Sequence, residues 1–115
     1  MVLGVREPTY FILLSLLGEP RHGYAIARRS EELSDGRVRL AAGTLYGALD
    51  RLVDQGLIAV EREETVQGRR RRTYRIEEPG RRAVIAEVER MRASVAAADD
   101  LDPIGGPGSI AAVTP

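Results

Sequence analysis

At Gly56 the hydrophobic period of this chain changes, and that switch constrains the fold more than any other feature. Before it, Leu45, Leu49, Leu52 and Val53 fall at spacings of 4, 3 and 1. That is one stripe of a helix, placed over about residues 42–55. After it, Ile58 and Val60 alternate with exposed positions, and so do Tyr74 and Ile76. The alternation predicts a β-hairpin from residues 57–64 and 72–77, joined by a loop over 65–71. Gly56 itself stands where a left-handed helix cap is expected.

Two more helices precede this unit. The first spans about residues 8–17, with Pro8 in its first turn, where the missing N–H costs nothing. Tyr10, Leu13, Leu14 and Leu17 form one stripe, and Phe11, Ile12 and Leu16 a second apolar face. A helix apolar on two faces needs two partners: its own domain and, on this reading, a second subunit. Gly18-Glu19-Pro20 ends it. The second helix, about residues 23–33, turns Tyr24, Ile26, Ala27 and Leu33 inward and keeps Arg28, Arg29, Glu31 and Glu32 wet. Ser34-Asp35-Gly36 is turn chemistry, and Val38-Arg39-Leu40 alternates like a very short strand.

A last helix is expected over about residues 79–98. Val84, Val88, Met91, Val95 and Ala98 recur at 4, 3, 4 and 3, a heptad seam too short to stand alone as a coiled coil. It suits helix pairing inside a larger interface. Residues 101–115 hold three glycines and three prolines with no charge after Asp102, and read as a disordered tail. The longest apolar stretch, residues 10–17, is interrupted by Ser15 and far short of a membrane span. Charged Glu19 and Arg21 follow it rather than a small-residue cleavage site, so it reads as a buried helix.

With 115 residues the chain holds one domain at most. It has no cysteine, which removes disulfides, thiolate metal sites and cysteine nucleophiles and fits a reducing cytoplasm. Its single histidine makes a metal site improbable and leaves no serine–histidine–acid set to assemble a nucleophile and base. No catalytic residue, metal or cofactor is therefore assigned. Net charge is zero, but it is unevenly spread: residues 61–76 carry six arginines against three glutamates, +3, and residues 77–102 four arginines against seven acids, −3. Local charge is what a phosphate meets. All 17 basic residues are arginine, whose planar fork binds phosphate and guanine bidentately.

Three helices followed by a two-stranded hairpin is the winged helix-turn-helix order: mostly α with a small β-hairpin (α+β), here with an added C-terminal dimerisation helix. In that arrangement the third helix enters a major groove and the hairpin tip reaches flanking phosphates. The four arginines Arg69, Arg70, Arg71 and Arg72 then serve the backbone, against the plainer reading of a solvated turn in which Arg72 and Arg75 pair with Glu61 and Glu63. Gly43, Thr44, Tyr46 and Gly47 face the bases, the glycines letting the backbone come close; packing beside Leu45 is the plainer and less favoured reading of Tyr46. Arg51 either reaches phosphate or pairs with Asp50 or Asp54. His22 caps the second helix or touches a phosphate, and Tyr24 is half core with its hydroxyl free. A winged-helix module used only for protein contacts is the alternative; it would favour a bare wing and an acidic third helix, and neither is present.

Three motifs follow one another in order: His22-Gly23-Tyr24-Ala25-Ile26, then Gly43-Thr44-Leu45-Tyr46 with Leu49, Leu52 and Gly56-Leu57-Ile58, then Tyr74-Arg75-Ile76 with Gly80-Arg81. In them the sequence resembles the PadR family of regulators: the first is similar to that family's opening of the second helix, the second to its recognition-helix signature and the third to its wing exit. Ala41 stands where the family often has a capping serine, a loss of about 1 kcal/mol. Gly47 stands where it often has proline, and Glu77-Glu78-Pro79 replaces a threonine-containing turn. None of these removes a charged contact. The resemblance implies a homodimeric repressor on double-stranded operator DNA of two-fold symmetry, released by a small aromatic or hydrophobic effector, with no membrane involvement. The expected organisation is a DNA-binding domain over 1–78, a dimerisation helix over 79–100 and the tail over 101–115. Tyr10, Phe11, Leu14, Val84, Val88, Met91 and Val95 are the expected dimer contacts.

Overall fold

A computed structural model describes residues 6–101. In chain order it contains α1 (Glu7–Ser15), β1 (Arg21–His22), α2 (Gly23–Leu33), α3 (Ala42–Asp54), β2 (Ile58–Val66), β3 (Arg69–Ile76) and α4 (Glu78–Leu101). The strands form one antiparallel sheet in the order β1-β3-β2. Ile12, Leu13 and Leu16 of α1, Ile26 of α2, Leu45, Leu49 and Leu52 of α3, Ile58, Tyr74 and Ile76 of the sheet and Val84 of α4 bury together as one core.

The helices follow the expected apolar stripes. α1 stops as the Leu16 and Leu17 N–H groups donate to the Leu13 and Leu14 carbonyls at 3.1 and 3.0 Å. α2 is fastened to α1 through buried Ser30, whose hydroxyl bonds the Ile26 carbonyl at 2.7 Å and reaches the Phe11 carbonyl at 3.3 Å. Two expectations for α2 are corrected: Tyr24 is 65% exposed, with the Arg28 guanidinium 5.9 Å from its ring centroid, and Leu33 also lies at the surface. The segment 38–40 is no strand; Val38 is simply buried and its N–H bonds the Ser34 hydroxyl at 2.8 Å.

The hairpin is tighter than expected. The strands extend through Val66 and from Arg69, so the predicted loop 65–71 shrinks to Gln67-Gly68. Both have positive φ, 52° and 78°, the two-residue turn that matches the twist of paired strands. The arginines therefore lie along β3 rather than in a loop. Register runs Val60↔Tyr74, then Arg62↔Thr73, leaving Glu61 as a bulge, and continues Glu63↔Arg72 to Val66↔Arg69. β1, which the sequence reading lacks, adds Arg21↔Tyr74 and His22↔Thr73. A strand of two residues has no alternation to detect.

α4 docks by a close approach at its first turn. A Cβ on Gly80 would lie 2.2 Å from the Leu57 carbonyl oxygen and 2.8 Å from Ile76 Cγ1, so only glycine fits. Beyond Val88 the helix leaves the body. Its 24 residues span about 36 Å, against molecular extents of 58 × 30 × 24 Å. Leu101, expected in the tail, ends α4; the rest of that segment lies outside the described residues.

Candidate nucleic-acid interface

α3 buries Leu45, Ala48, Leu49 and Leu52 and leaves Gly43, Thr44, Tyr46, Asp50 and Arg51 outward. Its N-cap, Ala41, makes no side-chain cap bond, so the first backbone N–H groups are left for an outside acceptor. A Cβ at Gly43 would meet nothing within 4 Å, and one at Gly47 only the Arg51 Nη1 at 3.7 Å. Among the described residues nothing demands glycine at either position. Arg51 makes no ion pair with Asp50 or Asp54 among the described residues.

Tyr46 is neither core nor free. Its ring is 47% exposed and lies across Gly23 at the start of α2. A Cβ on Gly23 would stand 2.7 Å from the Tyr46 hydroxyl and 2.9 Å from Cε1 and Cζ. Next to it, His22 Nδ1 accepts the Ala25 N–H at 3.4 Å, capping α2. Burial, and then the Arg71 charge, hold the His22 pKa below its ordinary value, so the ring is neutral at neutral pH.

These side chains and the wing enclose a groove of about 500 Å³ lined by His22, Tyr24, Tyr46 and Arg69 to Arg72, with Val66 and Gln67 at its far end. The four arginines are not equivalent. Arg72 Nε donates to Glu63 Oε2 at 2.6 Å, and Arg70 Nη2 lies 3.3 Å from Glu63 Oε1. Arg69 and Arg71 make no ion pair among the described residues and stay exposed. Arg72 thus meets its expected partner, whereas Arg75 pairs with Glu77 at 3.2 Å rather than crossing the hairpin. Sequence reasoning missed the roles of Gly23 and Gln67. The Gly-Tyr step at 23–24 and the Gln-Gly pair between two alternating runs were their only signals.

The residues expected at a dimer contact divide. Phe11 and Val84 are already buried within the single chain; Phe11 lies edge-on to Tyr10 with ring centroids 5.2 Å apart and beneath Arg37 at 5.8 Å. Tyr10, Leu14, Val88 and Met91 are half-buried, and Val95 is 57% exposed. Among the described residues no helix is long and apolar enough to cross a membrane, and no cluster of three metal-ligating side chains occurs.

Residues 12–86 match the family described as "Transcriptional regulator PadR-like family". The chain belongs to the PadR-like family of transcriptional regulators. Its winged-helix fold is shared by solved structures. A PadR family regulator from Eggerthella lenta is 28% identical, with 83% of each chain covered and a TM-score of 0.63. One from Clostridium difficile R20291 is 21% identical over 84% of this chain and 98% of its own, TM-score 0.67. Bacillus subtilis PadR, solved in complex with operator DNA, is 22% identical over 70% of this chain and 47% of its own, TM-score 0.61. No curated protein matches the chain by sequence. The PadR-like match covers α2, α3 and the whole wing, the elements that build the groove.

Proposed function

We propose that this PadR-like chain is a cytoplasmic, homodimeric repressor that binds double-stranded operator DNA of two-fold symmetry. The observation that carries the reading is the cationic groove joining the exposed start of α3 to the wing. Gly43 and Thr44 offer free backbone N–H groups at the start of α3, and Thr44, the Tyr46 ring and side-chain-free Gly47 face base edges, as a recognition helix requires. Arg69 and Arg71, unpaired at the groove wall, meet phosphate, and His22 and Tyr24 flank it at the start of α2. The PadR structure solved with operator DNA supports this placement by fold. The exposed apolar side chains of α4, Ile85 and Val95, suit pairing with a second copy, which would bring two such surfaces to one duplex. A small aromatic or hydrophobic effector would relieve repression by shifting that pairing.

The test is selection of bound fragments from random DNA, followed by titration of the selected and a scrambled duplex at several salt concentrations. Tyr46→Ala should lose preference for the selected sequence. Arg69→Ala with Arg71→Ala should weaken both duplexes alike and reduce the slope of log affinity on log salt by roughly 1.8 per wing, two contacts of about 0.9 each. Wild-type protein that selects no sequence, or a double variant with an unchanged slope, refutes the reading.

A further inference from the structure

The wing carries a built-in opponent. Glu63 faces Arg72 directly across the hairpin, and Arg70 stands two residues along the same strand, hence on the same face. One carboxylate oxygen serves each arginine, Oε2 at 2.6 Å from Arg72 Nε and Oε1 at 3.3 Å from Arg70 Nη2. The neighbouring acid does nothing comparable: Glu64 is opposite Arg71 yet lies 3.9 Å from Arg62 instead. The bulge at Glu61 creates this selectivity. Continuing the register Val60↔Tyr74 without it would set Arg62 against Arg72 and Glu63 against Arg71. With it, two alternate arginines share one carboxylate, while Arg69 and Arg71 make no ion pair among the described residues. The arginines hold the Glu63 carboxyl below the usual carboxylate range, Arg72 by its hydrogen bond first and Arg70 by its charge, so the restraint persists at neutral pH.

We propose that Glu63 withholds Arg70 and Arg72 from DNA and thereby limits the wing's affinity for non-specific sequence. The inference rests on the DNA-binding reading above and adds a regulator of its strength. Backbone contacts add affinity for every duplex without adding discrimination. A wing with four free arginines would raise the non-specific background against which α3 must select. Two withheld arginines lower that background and leave the base-facing surface untouched.

The experiment compares Glu63→Gln with Glu64→Gln, which removes the same charge one residue away. Non-specific duplex is titrated across salt, and thermal melting confirms the fold. Glu63→Gln should steepen the salt slope by about 1.8 per wing and raise non-specific affinity on the order of tenfold at low salt, lowering the ratio of selected to scrambled binding. Glu64→Gln should leave the slope near wild type. Equal slopes for the two variants, or weaker binding by Glu63→Gln, overturn the proposal. If Glu63→Gln melts early, the arginines decide it. Arg70→Gln with Arg72→Gln should cost far less slope than Arg69→Gln with Arg71→Gln, and equal costs overturn it. Wild-type protein lacking any salt-dependent DNA affinity would instead refute the DNA-binding reading, so the two failures are distinguishable.

Discussion

Gly23→Ala should leave the protein folded and disarm it. The new Cβ would stand 2.7 Å from the Tyr46 hydroxyl oxygen and 2.9 Å from two ring carbons. Ordinary contact needs about 3.5 Å or more, so the ring end must move by roughly 0.7 Å. What it meets is the far end of a side chain that is already half exposed, and swinging it off its rotamer costs about 0.5–1.5 kcal/mol. Against that, alanine is favoured over glycine in a helix by up to about 1 kcal/mol. The two terms nearly cancel, so urea unfolding should give a midpoint within about 1 kcal/mol of wild type. Binding has no such compensation. Tyr46 leaves the position from which, on the proposed function, it faces DNA, and a base contact of this kind carries about 1–3 kcal/mol of discrimination. Selected-sequence affinity should fall between about 5- and 150-fold per site, while scrambled duplex is bound nearly as before. Tyr46→Ala should show the same pattern, and combining the two should add little, since both act on one ring. Wild-type discrimination by Gly23→Ala would refute the argument, because the seat of Tyr46 would then be irrelevant to recognition. A large loss of stability would refute it differently, by showing that the ring cannot yield.

Gly80→Ala tests the opposite case, an obstacle of 2.2 Å against the Leu57 backbone carbonyl that cannot swing aside. Overpacking of about 1–3 kcal/mol and loosening of α4 outweigh the helix gain, and the urea midpoint should fall by the equivalent of roughly 2 kcal/mol. An unchanged midpoint would show that α4 is not docked there. His22→Asn keeps a good capping acceptor and removes a titrating group. Because burial and Arg71 depress the His22 pKa in the fold, its contribution is complete above the unfolded value of 6.5 and is lost as pH falls through the lower folded value. Wild-type stability should therefore decline more steeply than that of His22→Asn below about pH 6.5, and parallel pH profiles would contradict it. Val95→Glu places a charge on the exposed seam of α4 and should turn a dimer into monomers in light scattering without lowering the helix content of the monomer.

Most of the helical scaffold was legible because its apolar positions recur at helical spacing and the middle of each stripe finds the core, as Leu45, Leu49 and Leu52 do, while the ends, Leu17, Leu33 and Val95, stay exposed. Tyr24 broke the rule. It sits on the apolar side of α2 by spacing, but it falls at the helix's first turn, is left 65% exposed, and has the Arg28 guanidinium over its ring. The wing was half legible. Ile58, Tyr74 and Ile76 marked its root, where one face is buried. From Glu61 outward both faces are wet, so no pattern signalled that the strands continue to Gln67. Glu63 was visible as an arginine partner, but which arginines it holds depends on a one-residue bulge that leaves no hydrophobic trace.

The groove and α4 are tied together by two glycines, one beside the middle of β3 and one just past its end, and this bears on how a signal travels. Gly23 follows β1 and seats Tyr46; Gly80 follows β3 and fixes α4 on the Leu57 carbonyl. The Glu77 N–H donates to that same carbonyl at 3.0 Å, so the strand root and the start of α4 share one acceptor. Tyr74 lies between them, paired with Arg21 on one side and Val60 on the other. Contacts this close have little room for small continuous adjustments. A displacement of α4 at its first turn must carry Leu57 and Ile76 with it or break from them, and β3 connects Ile76 directly to the arginines of the groove. A change in the packing of the projecting end of α4 therefore reaches the wing through Ile76 and reaches α3 through the Leu57 N–H, which donates to the Leu52 carbonyl at 3.0 Å.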